Sequence, residues 1–134
     1  MERVLFLCVH NSARSQMAEG LLRALGGDRF EAHSAGNVAT EVRPLAIRAL
    51  AEIGLDISGQ RSKAVAEYDG QTFDRVITVC SDAVEACPYF PGALAREHWD
   101  LADPAAAIGT EDERLAAFRR TRDEIAEHIQ RLTA

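Results

Sequence analysis

The sequence contains no apolar run approaching the roughly 20 residues that a membrane-spanning helix needs, which excludes a helical membrane protein. The apolar stretch ending at Cys8 is too short for a secretory signal and carries no small-residue cleavage site, so a cytoplasmic chain is expected. Positive charge is in deficit as well. With 15 Lys and Arg against 21 Asp and Glu the net charge is −6, the wrong sign for gripping phosphate backbones, and nucleic acid is not an expected partner. Cysteine is scarce and odd in number. Three thiols in a chain without an export signal do not make a disulfide framework, which leaves core packing, metal ligation or reactive chemistry. Neither Cys-x2-Cys nor His-x3-His occurs, so zinc lacks its usual spacing, and His10, His33, His98 and His128 read as structural or surface residues. The Gly-x4-Gly-Lys-Ser/Thr and Gly-x-Gly-x-x-Gly loops of nucleotide binders are missing too. No repeat, low-complexity tract or linker interrupts the 134 residues, so one domain spanning 1–134 is expected, and a hydrophobic content of 47% suffices for its core.

Apolar runs alternate with helical patterns. Arg3 to Cys8 is a continuous apolar run of the kind buried on both faces of a sheet. Met17, Ala18, Leu21, Leu22 and Leu25 then recur at helical spacing until Gly26-Gly27. Phe30 to Ser34 suits a short strand, and Pro44 suits the first turn of a helix through Leu45, Ala49, Leu50 and Ile53 to Gly54. Arg75 to Val79 is another strand, and a fourth is expected near Glu97 to Asp100. A long last helix, N-capped at Thr110, shows the stripe Leu115, Phe118, Ile125, Ile129 and Leu132. Trp99 reads as a packing residue. The alternation predicts an α/β fold: a three-layer sandwich with a central parallel four-stranded sheet flanked by helices. Ligands in such folds sit beyond the carboxyl ends of the strands, where Cys8 and Cys80 both fall.

The segment Cys8-Val9-His10-Asn11-Ser12-Ala13-Arg14-Ser15 joins the first strand to the first helix. A tight strand-to-helix loop can turn successive backbone N–H groups inward beneath the positive end of the helix dipole, making a seat for a tetrahedral oxyanion. Arg14 would add a planar fork of donors, and His10 could tune the field. Cysteines in such surroundings have pKa values of roughly 3.5–7.5 rather than about 8.5, which makes Cys8 a candidate nucleophile. A plainer reading makes Cys8 a small buried hydrophobe and Arg14 a surface charge, but the strand before, the helix after and the small, polar loop match what the chemistry requires.

Cys8-x5-Arg14-Ser15 after an N-terminal strand resembles the anion loop of the low-molecular-weight protein tyrosine phosphatases and of the arsenate reductases sharing their fold. The likeness extends from Val4 through the last helix and includes Asp103-Pro104, the position of the general acid in both groups. It implies the same start for either chemistry: Cys8 attacks the central atom of the oxyanion bound by residues 9 to 14, and Asp103 protonates the departing oxygen. Read without the resemblance, Asp103-Pro104 could equally be a turn. Ser15 is similar to the family serine that hydrogen-bonds the nucleophile, and Asn11 to an asparagine that shapes the loop, consistent with Asn tolerating left-handed geometry.

Cys80 and Cys87 separate the two chemistries. Arsenic(V) accepts two electrons readily and phosphorus(V) does not, so only a reductase needs further thiols. Val79-Cys80-Ser-Asp-Ala-Val-Glu-Ala-Cys87-Pro88 resembles the redox segment of thioredoxin-coupled arsenate reductases. Ala105-Ala106 stands where the phosphatases carry aromatic residues. The resemblance implies a relay: Cys8 attacks arsenate, Cys80 attacks Cys8 to release arsenite, Cys87 attacks Cys80, and thioredoxin reduces the resulting Cys80–Cys87 disulfide. A monomer without a cofactor is expected. A helix over residues 82 to 87 would hold the two cysteines ~10 Å apart, beyond the roughly 4.4–6.8 Å between α-carbons that a disulfide spans, so unwinding on oxidation is expected. Some reductases of this type bind potassium beside the loop. Asn11, Glu19 and Ser34 match three of the ligand positions, but the fourth falls at Lys63, so no metal is expected. A phosphatase acting through Cys8 and Asp103, and a non-catalytic oxyanion-binding module, remain the alternatives.

Overall fold

A computed structural model describes residues 1–81 and 86–134. Four parallel strands, β1 (Glu2–Cys8), β2 (Phe30–Gly36), β3 (Phe73–Thr78) and β4 (Ala93–His98), form one sheet in the order β2-β1-β3-β4. The helices are α1 (Arg14–Gly26), α2 (Pro44–Ala51) and α3 (Glu111–Thr133). None of them is long and apolar enough to cross a membrane.

β1 lies between two neighbours, pairing with β2 from Glu2↔Phe30 to Cys8↔Gly36 and with β3 from Val4↔Arg75 to Leu7↔Thr78. Because side chains alternate across a strand, Val4, Phe6 and Cys8 enter the core beneath the helices while Leu5 and Leu7 enter the core on the opposite face. Val4, Leu5, Phe6 and Leu7 are each fully buried, a contribution of about 1.5–3 kcal/mol apiece. The helical side collects Met17, Ala18, Leu21 and Leu22 of α1, Ala46, Ala49 and Leu50 of α2, and Leu115, Phe118, Ile125 and Ile129 of α3. A one-turn 3-10 helix, Val65–Tyr68, and the side chain of Phe90 cover the other face, where Phe73 meets both Tyr68 and Phe90 edge-on. Trp99 is buried against Phe6 and stacks on His128 with 4.5 Å between ring centroids. Burial and the neighbouring Arg131 charge pull the His128 pKa down.

Several boundaries differ from expectation: β3 covers Phe73–Thr78 rather than Arg75 to Val79, and α2 ends at Ala51 rather than at Gly54. β2 runs past Ser34 to Gly36, since Ala35 and Gly36 complete the ladder against Leu7 and Cys8 despite weak strand propensity. β4 occupies Ala93–His98 rather than Glu97 to Asp100. It is an edge strand whose mostly exposed residues carry little apolar alternation, so the sequence marks it faintly. Thr110 caps α3 as expected and forms a full capping box with Glu113.

Candidate active site

Cys8 is the last residue of β1, and the chain then turns through residues 9–13 into α1. The loop is held by its carbonyls. Those of Val9, Ser12 and Ala13 accept from the amides of Asn37, Arg43 and Met17, each at 2.8 Å. The His10 carbonyl accepts from the Thr40 and Ser62 hydroxyls at 2.9 and 3.2 Å, and that of Asn11 from Gln16 Nε2 at 3.1 Å. In a trans peptide the next N–H points away from the carbonyl, so drawing these oxygens into the scaffold aims the amides from His10 to Arg14 to the other side. Such a run of amides at a helix start suits an anion.

Asn11 carries the loop's strain and its polarity. Its φ of 49° lies in the left-handed region, where Asn is more tolerant than most residues. Its side chain is wholly buried and its amide orientation is fixed from both ends. Oδ1 accepts from Gln16 Nε2 at 2.9 Å and from the Lys63 amide at 2.8 Å, while Nδ2 donates to the Ser15 and Ser34 hydroxyls at 2.7 and 2.9 Å. Ser34 in turn donates to Glu19 Oε1 at 2.6 Å. Because Ser15 accepts from Asn11, its own proton is available for the Cys8 sulfur 2.7 Å away. Asn11 therefore donates both ways, to Ser34, whose proton goes to Glu19, and to Ser15, whose proton is left for the Cys8 sulfur.

Glu19 is buried with two cations: Arg23 donates to Oε2 at 2.8 Å, and Lys63 Nζ stands 3.6 Å from Oε1 while donating to the Arg61 carbonyl at 3.0 Å. An ammonium already against the carboxylate, and an asparagine turning its nitrogen towards Ser34, make this donor set unfit for a potassium ion.

Arg14 and Asp103 come from opposite ends of the chain to the same rim. Arg14 is buried, donates to the Leu101 carbonyl at 3.0 Å, and has Nη2 3.9 Å from Asp103 Oδ2. Asp103 caps the 3-10 turn Pro104–Ala106, accepting from the Ala105 amide at 2.9 Å, and its side chain stays partly exposed. The turn reading of Asp103-Pro104 thus holds, and the turn leaves the Asp103 carboxyl facing Arg14. A cleft of about 470 Å³ lined by His10, Ser12, Thr40, Glu41, Val42 and Arg43 opens beside the loop.

Cys80 and Cys87 are joined as a disulfide, with 6.0 Å between their α-carbons. Cys80 is fully buried two residues beyond β3, its sulfur 3.7 Å from the Leu7 carbonyl, so it stands beside the end of β1 that carries Cys8. Cys87 is partly exposed. The expected helix over residues 82 to 87 falls mostly on residues 82–85, outside the described residues, and residues 86–90 are irregular.

Two contributors escaped the sequence reading. A Cβ added to Gly36 would stand 2.7 Å from the Val9 carbonyl oxygen and 2.8 Å from the Asn11 nitrogen, so the loop needs a glycine behind it. A glycine closing a strand is a recognisable sign of close backbone approach. Gln16, buried and bonded to both Asn11 oxygens, had no such signal.

The chain matches the family described as low molecular weight phosphotyrosine protein phosphatase over residues 3–134. It is 47% identical to an arsenate reductase of Bacillus licheniformis over 96% of this chain and 92% of that protein. Among solved structures it superposes on an arsenate reductase in the phosphate-binding state with a TM-score of 0.85 at 34% identity, covering 99% and 97% of the two chains. A thioredoxin-dependent arsenate reductase of Corynebacterium glutamicum is also similar, with a TM-score of 0.62 at 31% identity over 98% of this chain and 63% of that one. The loop that follows Cys8 and the joined pair Cys80 and Cys87 beside the end of β1 agree with these likenesses: the chain belongs to the arsenate reductases of the low molecular weight phosphotyrosine protein phosphatase family.

Proposed function

We propose that this chain reduces arsenate to arsenite by passing two electrons from thioredoxin through Cys87, Cys80 and Cys8. Arsenate lies on the amides of residues 9 to 14 with the Arg14 guanidinium on its oxygens. The Cys8 thiolate, receiving the Ser15 hydrogen bond, attacks arsenic, and Asp103 gives its proton to the departing hydroxide, which leaves as water. Cys80 as thiolate then attacks the Cys8 sulfur. The pair of the S–As bond stays on arsenic, which falls from the +5 to the +3 state and departs as arsenite, leaving a Cys8–Cys80 disulfide. Cys87 as thiolate attacks Cys80 and frees Cys8. The two thiols of thioredoxin reduce the Cys80–Cys87 disulfide and become a disulfide themselves.

The observation that carries this reading is the Cys80–Cys87 pair beside the β1 terminus that bears Cys8. A phosphatase needs neither sulfur, and Ala105 and Ala106 leave the acid turn without an aromatic wall for a tyrosyl group. The reading includes a single domain, a monomer in the cytoplasm, and neither metal nor cofactor. Arsenate-dependent NADPH oxidation in the presence of thioredoxin and its reductase, beside hydrolysis of an aryl phosphate, tests it. Turnover in the first assay exceeding the second is expected, and aryl phosphate hydrolysis with no NADPH oxidation would overturn it.

A further inference from the structure

Cys80 is buried two residues beyond β3, whereas Cys87 lies on an irregular segment, so the second thiol–disulfide exchange depends on where that segment is held. Among the described residues two side chains hold it by hydrogen bonds, one on each side of Cys87. On one side Asn37 Nδ2 donates to the Ala86 carbonyl at 3.1 Å. The same residue's backbone amide donates to the Val9 carbonyl at 2.8 Å, so Asn37 ties the anion loop directly to the residue before Cys87. On the other side Arg96, on the edge strand β4, grips three successive residues. Its guanidinium donates to the Phe90 carbonyl at 2.6 Å, the Pro91 carbonyl at 3.3 Å and the Tyr89 hydroxyl at 3.1 Å, and lies 4.4 Å from the centre of the Tyr89 ring. Pro88 and Phe90 are buried, so the segment is pressed to the sheet by apolar contacts and located along it by the arginine.

We propose that Asn37 and Arg96 are positioning residues for the relay: together they suspend Cys87 within reach of Cys80 and favour transfer of the disulfide from Cys8–Cys80 to Cys80–Cys87. The inference rests on the relay proposed above. The step it concerns is balanced within the protein. The Cys87 thiolate forms a bond to Cys80 sulfur, the Cys8–Cys80 bond breaks, and Cys8 leaves as thiolate with no net change of electrons. Neither residue touches arsenate or a reacting sulfur. Their effect is on the local concentration of one thiol around another, which falls when the segment swings free. A planar fork serving several acceptors is something arginine provides and lysine does not.

The test uses the full chain carrying Asn37→Ala, Arg96→Met or Arg96→Lys. Reduced enzyme is mixed with one equivalent of arsenate without thioredoxin and quenched at intervals, its disulfides are mapped by mass, and arsenite is counted. The midpoint potential of the Cys80–Cys87 pair is measured in a thiol redox buffer. Arsenite released per enzyme should equal wild type in all three variants, because the first exchange does not involve Cys87. The Cys8–Cys80 form should accumulate in Asn37→Ala and Arg96→Met. Their disulfide equilibrium should shift by about tenfold, which is about 30 mV less negative, with Arg96→Lys between them and wild type. A merely structural role would lower the melting temperature without moving this partition. Partition and potential equal to wild type would overturn the proposal. If Arg96→Met does not fold, Asn37→Ala and Arg96→Lys carry the same readout. Wild type that never forms Cys80–Cys87 would overturn the relay itself, and the two tethers with it.

Discussion

Replacing Gly36 with alanine adds one methyl group behind the anion loop, and the structure fixes what that methyl meets. Its carbon would stand 2.7 Å from the Val9 carbonyl oxygen, 2.8 Å from the Asn11 nitrogen and 3.0 Å from the Cys8 carbonyl oxygen, all backbone atoms without rotamers to yield. Gly36 cannot easily retreat. It is paired with Cys8 on one side and bridged to Ala64 on the other, and its amide donates to the Lys63 carbonyl at 2.9 Å. The loop must therefore move by about 0.7 Å for the closest contact to reach the ordinary 3.4 Å. Overpacking of this kind costs about 1–3 kcal/mol, and a displacement near 1 Å of a catalytic constellation costs up to about 10²-fold in rate.

Gly36→Ala should accordingly lower kcat/KM for arsenate roughly 10- to 100-fold in the thioredoxin-coupled assay. Reduction of a preformed Cys80–Cys87 disulfide by thioredoxin should be nearly unchanged, since that bond lies outside the loop. Gly59→Ala is the matched control, because a Cβ there meets nothing within 4 Å. It should retain wild-type activity and melting temperature. Gly36→Ala with kcat/KM within twofold of wild type would refute the claim that the β2 terminus sets the loop's position.

Three further outcomes follow from particular contacts. Cys87→Ser should release one equivalent of arsenite per enzyme and then stop, measured as a burst without steady turnover; sustained turnover would remove Cys87 from the relay. Thr110→Ala breaks the capping box at the head of α3 and should cost about 1 kcal/mol, or about 4 °C in melting temperature for a chain of this size, with activity kept. The Arg119 hydrogen bonds, with the Arg122 charge, outweigh desolvation and hold the Glu52 carboxyl at about 2 instead of 4.5. A depressed folded value means that this stabilisation is complete above the unfolded pKa and is lost as pH falls from about 4.5 towards 2. Glu52→Gln should flatten the fall in melting temperature across that window, and an unchanged slope would count against the pairing.

The parts of the molecule legible in the sequence are those whose signals are local. The apolar run of β1, the helical stripe of α1, the proline opening α2 and the Thr110 cap each announce an element through the residues that build it. Cys8, Arg14 and Ser15 share one loop, so their proximity follows from spacing. β4 was misplaced because an exposed edge strand needs little apolar alternation. What holds the site together was harder to read, because its contacts span the chain. Asn11 is fixed by Lys63, 52 residues away, and Arg14 meets the Leu101 carbonyl across 87. A sequence can nominate Asp103 for this rim, but only the fold sets its distance from Arg14.

Burial supplies the direction of electron flow. Cys8 and Cys80 are at most 2% exposed, and Cys87, beyond the sheet, is partly accessible. Thiol–disulfide exchange needs the attacking thiolate to reach a sulfur, so an external protein thiol is kept from a Cys8–Cys80 bond by the packing around β1 and β3. Cys87 is part of the same chain, and in the joined pair its α-carbon lies 6.0 Å from that of Cys80. In the relay proposed above, the reductant acts after the disulfide has moved outward, with the more exposed Cys87 sulfur as its point of attack and Cys80, beside Leu7, as the departing thiolate. A small thiol able to enter the core would bypass this order, so the packing of Val79, Trp99 and Leu101 around the rim serves the chemistry as well as the fold.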